Sequence, residues 1–254
     1  MSKPNFFIIG AAKAATTSLA SLLEQHPQAA IAQGKEPHFF SIDERYQAGW
    51  AWYGQFFQHV KNQTAIGDAS TSYSRLRYHP ETIRRIQNAV AQPKIIYMVR
   101  HPLERMESAY IEHLCSPSSQ PFSSINDALR RQPMIVDSSR YWEVYDAYRQ
   151  ALGESRIKVV WFEEYVIRQA EVFKEVCRFL EISDQVEPNL AAESMNSRDL
   201  AAQRMQRWGR GQVAINTEWE PELRRQVIDQ IKADNVRLLQ HFGKPADYWG
   251  PLFA

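Results

Sequence analysis

The stretch Phe6-Phe7-Ile8-Ile9-Gly10-Ala11-Ala12-Lys13-Ala14-Ala15-Thr16-Thr17-Ser18-Leu19 limits the possible folds more than any other. Four apolar, strand-forming residues run into Gly, Ala and hydroxyl residues around one cation. Leu19, Leu22 and Leu23 then follow at helical spacing. The pattern predicts a strand, a tight loop and a helix start, the corner from which an α/β sheet is built. A helix N-terminus presents N–H groups without intrahelical partners and the positive end of the helix dipole. With Lys13, Thr16, Thr17 and Ser18 as further donors, the corner suits a phosphate or sulfate.

It departs from the ordinary ATP or GTP loop, which needs Gly-Lys followed by Ser or Thr, because Lys13 is followed by Ala-Ala-Thr-Thr. A second departure lies in Lys94–Val99, a buried-strand pattern that ends in Arg100-His101-Pro102. A magnesium-holding strand of such an enzyme ends in Asp. A cation at the end of a parallel strand lies on the ligand side of the sheet and suits direct pairing with phosphate.

The 254 residues suffice for one domain with a sizeable core, and we find no repeat or linker that divides residues 1–254. A net charge of +1 gives no polyanion-binding surface, so nucleic acid is not expected as a partner. Cys115 and Cys177 form neither a disulfide framework nor a zinc motif. No apolar run has the length of a membrane span, and no leader pattern precedes the first strand, which predicts a cytoplasmic protein.

Along the chain, the first helix is expected to end near Gln25-His26-Pro27, with a short strand at Ala29–Ala32. Lys35-Glu36-Pro37-His38-Phe39-Phe40 then places a cation, a carboxylate and an imidazole within four positions, groups able to take a proton from a hydroxyl. The aromatic residues from Tyr46 to Phe57 read mainly as packing groups, some of them open to an acceptor pocket. Asp68 and Ser70 follow a short strand and either face a site or cap a turn. Helices are expected at Pro80–Val90, Leu103–Leu114, Ser123–Arg131, Arg140–Leu152, Gln169–Leu180 and Pro221–Phe242, and a further strand at Arg156–Phe162. Ser116-Pro117-Ser118-Ser119-Gln120-Pro121 reads as a lid or connector.

The Lys13 loop, the Lys-Glu-Pro-His-Phe-Phe segment and the strand ending in Arg-His-Pro together resemble the sulfotransferases that use 3′-phosphoadenosine 5′-phosphosulfate (PAPS), particularly their bacterial and carbohydrate-modifying branch. The resemblance implies a P-loop NTPase-like three-layer α/β fold, with a central, mostly parallel sheet flanked by helices. It implies sulfuryl transfer to a hydroxyl or amine of a small-molecule or carbohydrate acceptor, with no metal. Lys13, Ala14, Ala15, Thr16, Thr17 and Ser18 match the 5′-phosphosulfate loop, and Arg100 with Ser108 the 3′-phosphate grip. Lys35, Glu36 and His38 match the acceptor side, with Glu36 as base and His38 in reserve; Asp68 and Ser70 match a second acceptor loop. Ala69 stands where some carbohydrate enzymes have Lys, and Arg198 is the candidate for the late 3′-phosphate loop. The rival readings are a P-loop kinase using ATP and a nucleotide-binding module without chemistry.

Overall fold

The computed structural model describes residues 2–34, 36–116, 122–190 and 215–251. Two compact units are formed, one from residues 1–100 and 144–190, the other from residues 101–143 and the described part of 191–254.

The first unit holds a five-stranded sheet, all parallel, in the order β2-β3-β1-β4-β5. The strands are β1 (Phe6–Gly10), β2 (Ala29–Ile31), β3 (Ala65–Asp68), β4 (Lys94–Val99) and β5 (Ile157–Trp161). Parallel strands are covered on both faces, and for that reason β1 and β4 are continuous apolar runs rather than alternating ones. Phe6, Phe7, Ile8 and Ile9 are completely buried, as are Ile95 to Val99. From β1 the chain builds β2 and β3 on one side, then returns to build β4 and β5 on the other. This reversal puts a crevice at the carboxyl ends of β1, β3 and β4, where Gly10, Asp68 and Val99 lie.

Helices flank the sheet. α1 (Thr16–Glu24) buries Leu19, Leu22 and Leu23, the leucines of the sequence pattern. α2 (Asp43–Gln47) and α3 (Gly49–Tyr53) carry the aromatic stretch; the Phe39 and Tyr53 rings stack with centroids 4.2 Å apart, so these aromatics are chiefly packing groups. α4 (Thr82–Ala89) precedes β4.

In the second unit, α5 (Pro102–Leu114), α6 (Ile125–Arg131), α7 (Pro133–Asp137) and a final helix, Pro221–His241, surround a buried polar centre. Arg105, only 1% exposed, donates from Nε to the Ser139 hydroxyl at 2.7 Å and from its terminal nitrogen to the Ile135 carbonyl. Asn235 donates to the carbonyls of Ser139 and Ile231, both at 2.9 Å. α8 (Tyr141–Leu152) begins here and carries the chain back into the first unit, where α9 (Phe162–Ile167) and α10 (Gln169–Leu180) complete it. The first turn of α8 is capped by Asp234, which accepts from the N–H groups of Trp142 and Glu143 at 2.9 and 2.8 Å.

Two predictions follow from this packing. A Cβ on Gly67 would lie 2.2 Å from the Phe6 ring and 2.8 Å from Ile31 Cδ1, so Gly67→Ala should lower unfolding free energy by about 1–3 kcal/mol, read from the urea midpoint. Burial pushes the Asp234 carboxyl up to about 6 from an ordinary 3.8, against the downward pull of its two N–H donors. A carboxyl that titrates higher in the folded chain favours the native state fully below the lower value, and that contribution is lost as pH rises through the upper one. Stability should therefore fall between pH 3.8 and about 6 through this group, by at most ~3 kcal/mol. Asp234→Asn should flatten that part of the pH profile.

Candidate active site

The loop after β1 is held in an uncommon backbone shape. Gly10 has φ 136°, and a Cβ there would approach the Ser74 hydroxyl to 2.4 Å, so no other residue fits. Lys13 and Ala15 follow at φ 74° and 66°, in the left-handed region that L-residues avoid. Ala15 is the residue before α1, and no side chain caps the helix there, nor is there an acid in its first turn. The leading N–H groups of α1 and the positive end of its dipole are thereby left for an anion.

Arg100, directly after β4, donates to the Lys13 carbonyl at 3.3 Å while its guanidinium lies 4.3 Å above the Phe162 ring. The backbone of the loop after β1 and the side chain that follows β4 are thus tied together. Ser18 behaves differently. Its hydroxyl lies 2.6 Å from the Tyr165 hydroxyl, and Gln169 donates to both oxygens, at 3.2 and 3.0 Å. That tie joins α1 to α9 and α10. Sequence reasoning missed Tyr165 and Gln169, whose partner lies 147 and 151 positions away.

On the other side of the crevice, Glu36 and His38 also adopt left-handed φ, 53° and 54°. His38 Nε2 is 3.2 Å from Glu36 Oε2, which also accepts from the Thr71 hydroxyl at 3.1 Å. His38 Nδ1 lies 2.6 Å from the Ser72 hydroxyl, itself 2.6 Å from Ser41. The result is a carboxylate, imidazole and hydroxyl in series, with about a quarter of the Glu36 side chain open to solvent. Thr71, Ser72 and Ser41 were not singled out from the sequence, although the run of hydroxyls from Ser70 to Ser74 was a visible signal.

Asp68 and Ser70 are both completely buried. Asp68 accepts from the hydroxyls of Tyr53, Tyr73 and Ser70 at 2.6, 2.6 and 2.7 Å, and Ser70 in turn accepts from the His38 N–H at 2.9 Å. Burial raises the Asp68 carboxyl above its usual range while the three hydroxyl donors oppose the rise; burial and the neighbouring carboxylate keep both tyrosines protonated. The pair shapes the loop beneath His38 rather than presenting itself to an acceptor.

A cavity of about 300 Å³ runs beside α1, with Thr16, Thr17, Ser21 and Glu24 along one wall and Glu36 and Ala69 on the other. It therefore links the start of α1 to the Glu36 carboxylate. Ser108 lies half-buried on α5 in the second unit. Lys35, Arg198 and the Pro117–Pro121 segment lie outside the described residues. Among the described residues, no group of three or more His, Cys, Asp or Glu side chains is arranged to hold a metal, and no helix is long and apolar enough to cross a membrane.

Similarity to known proteins agrees with this geometry. Curated relatives include the membrane-associated sulfotransferase kil1 of Dictyostelium discoideum, 36% identical over 42% of this chain, and human heparan sulfate glucosamine 3-O-sulfotransferase 6, 33% identical over 46%. The matches span only 22% and 33% of those relatives' own lengths. Among solved structures, a sulfotransferase from Alicyclobacillus acidocaldarius aligns with TM-score 0.77 and 27% identity, over 98% of this chain and 99% of the other. Mouse sulfotransferase SULT7A1 complexed with PAP shares the fold at TM-score 0.58 and 12% identity, over 96% and 89%. The sulfotransferase domain family matches residues 3–243, nearly the whole chain, and the five-stranded parallel sheet is the P-loop NTPase-like fold of that family: this chain belongs to the sulfotransferases.

Proposed function

We propose that the chain transfers the sulfuryl group of PAPS to a hydroxyl, or an amine, of a small-molecule or carbohydrate acceptor. The observation that carries this reading is the cavity joining the uncapped start of α1 to the Glu36–His38 pair. An anionic donor at one end and a proton acceptor at the other is what sulfuryl transfer requires. The PAP bound to a structural neighbour supports the choice of nucleotide, and the glucosamine named in a curated relative supports a carbohydrate acceptor.

The acceptor oxygen attacks sulfur in line with the bond from sulfur to the bridging oxygen of the 5′-phosphate. As that bond breaks, the electron pair and the negative charge pass to the phosphate, and 3′,5′-ADP leaves. Lys13 and the N–H groups of Thr16 and Thr17 stabilise that charge. Glu36 Oε2 takes the acceptor's proton; His38, hydrogen-bonded to Ser72, steadies the carboxylate. Arg100 meets the 3′-phosphate, and Asp68 with Ser70 holds the segment that carries His38. Cys115 and Cys177 are both buried thiols, which supports work in a reducing compartment, the cytoplasm.

An ATP-dependent kinase is the rival, and the missing Gly-Lys-Thr loop together with Arg100 at the end of β4 weighs against it. Calorimetry should give binding of 3′,5′-ADP well ahead of ATP. In transfer assays with labelled PAPS and a panel of hydroxylated acceptors, Lys13→Ala should lower kcat by roughly 10²–10³-fold and Glu36→Gln by roughly 10²–10⁴-fold. Glu36→Gln should still bind 3′,5′-ADP. Near-normal rates from both variants would refute the assignment.

A further inference from the structure

The transfer reaction gives Tyr165 no task, yet its hydroxyl reaches the first turn of the helix proposed to receive the donor. Tyr165 lies on α9 and is only 1% exposed, and Ser18 is the third residue of α1. Their hydroxyl oxygens are 2.6 Å apart. Gln169, the first residue of α10, donates from its side-chain amide to both, at 3.2 Å to Ser18 and 3.0 Å to Tyr165. Three helices thus meet in one triangle of polar atoms.

The start of α1 needs such a hold. Its N-cap residue, Ala15, sits at φ 66° with no side-chain cap, and the first turn contains no acid. Among the described residues, Ser18 makes the one side-chain hydrogen bond that ties this turn to another helix. N–H groups bind an anion best when they already point at one place, whereas a turn that must first be ordered spends part of the binding energy on its own ordering. Tyr165 also stands three residues after Phe162, which makes the two neighbours on α9. Phe162 carries the Arg100 guanidinium at 4.3 Å, and Arg100 donates to the Lys13 carbonyl at 3.3 Å. One short helix therefore touches the head of α1 through Tyr165 and the loop after β1 through Arg100.

We propose that Tyr165 is a positioning residue for the sulfuryl donor: its hydroxyl, through Ser18, fixes the first turn of α1 so that the leading N–H groups converge on the 5′-phosphosulfate. This rests on the PAPS reading above and assigns to the 5′ end of the nucleotide a residue far outside the loop. The action is confined to that end. Arg100, proposed for the 3′-phosphate, is held by its own contacts to Phe162 and the Lys13 carbonyl, neither of which involves the Tyr165 oxygen. Tyr165 acts through Ser18 and touches no reacting atom.

The test is Tyr165→Phe, which keeps the buried ring and removes one oxygen, with Ser18→Ala and the double variant beside it. Calorimetry with 3′,5′-ADP, adenosine 5′-phosphate and adenosine 3′-phosphate separates the two ends of the nucleotide. Tyr165→Phe should weaken the first two by about three- to tenfold, the worth of one hydrogen bond, and leave the third within about twofold. The KM for PAPS should rise in step while the acceptor KM stays. Ser18→Ala should give the same loss, and the double variant no more than the larger single one, because both changes remove one contact. The proposal is overturned if Tyr165→Phe binds all three nucleotides as the wild type does, if it weakens adenosine 3′-phosphate as much as the others, as general loosening would, or if the two losses multiply in the double variant. Should Tyr165→Phe fail to fold, the three nucleotides measured on Ser18→Ala decide in the same way. Failure of the wild type to bind 3′,5′-ADP would remove the underlying reading as well.

Discussion

The crevice is shaped around a carboxylate that never meets solvent. Asp68 ends β3 with no exposed surface, and its solvation is replaced by three hydroxyls, from Tyr53, Tyr73 and Ser70. A buried charge is tolerated only when its lone pairs are filled, and the three donors come from separate places: α3, the turn after β3, and the loop between. Fixing them fixes the loop, and Ser70 passes the constraint to the backbone of His38. Tyr148 of α8 adds a bond to the Tyr73 carbonyl at 2.9 Å, so that turn is anchored from both sides.

Around this anchor the first unit interleaves its charges. Lys13, Arg100 and the head of α1 gather where β1 and β4 end, and across the crevice the Glu36 carboxylate meets His38 and feels the largely buried guanidinium of Arg75. The dipole of α1 places its positive end at Thr16, beside the loop that follows β1, and its negative end at Glu24.

Much of the fold was legible in the sequence, for a physical reason: strands covered on both faces must be apolar, and β1 and β4 announce themselves as such runs. Helix limits came within about two residues where Pro or Gly punctuates the pattern, as at Pro221 and Gly243. The corner of strand, loop and helix at Gly10 to Leu19 was readable because its shape is local. Asp68 was not, since an Asp among Ser and Thr looks like a solvated turn until Tyr53, fifteen residues earlier, is seen to cover it. Nor was the tie between the Ser18 hydroxyl and Tyr165, which arrives from a distant helix. The division into two compact units carried no shift of composition to signal it, because residues 101–143 leave and rejoin through ordinary helices. What the sequence hides is contact between distant residues, and with it the difference between a charge that is exposed and one that is enclosed.

The four left-handed residues at Lys13, Ala15, Glu36 and His38 have a consequence for anyone engineering this scaffold. Each is conformationally disfavoured for a residue with a side chain, and glycine would relax all four. Selection for heat resistance alone would therefore drift toward glycine at Lys13, Glu36 and His38, the positions proposed to carry the cation, the base and its imidazole, so durability and turnover would be opposed here by backbone geometry.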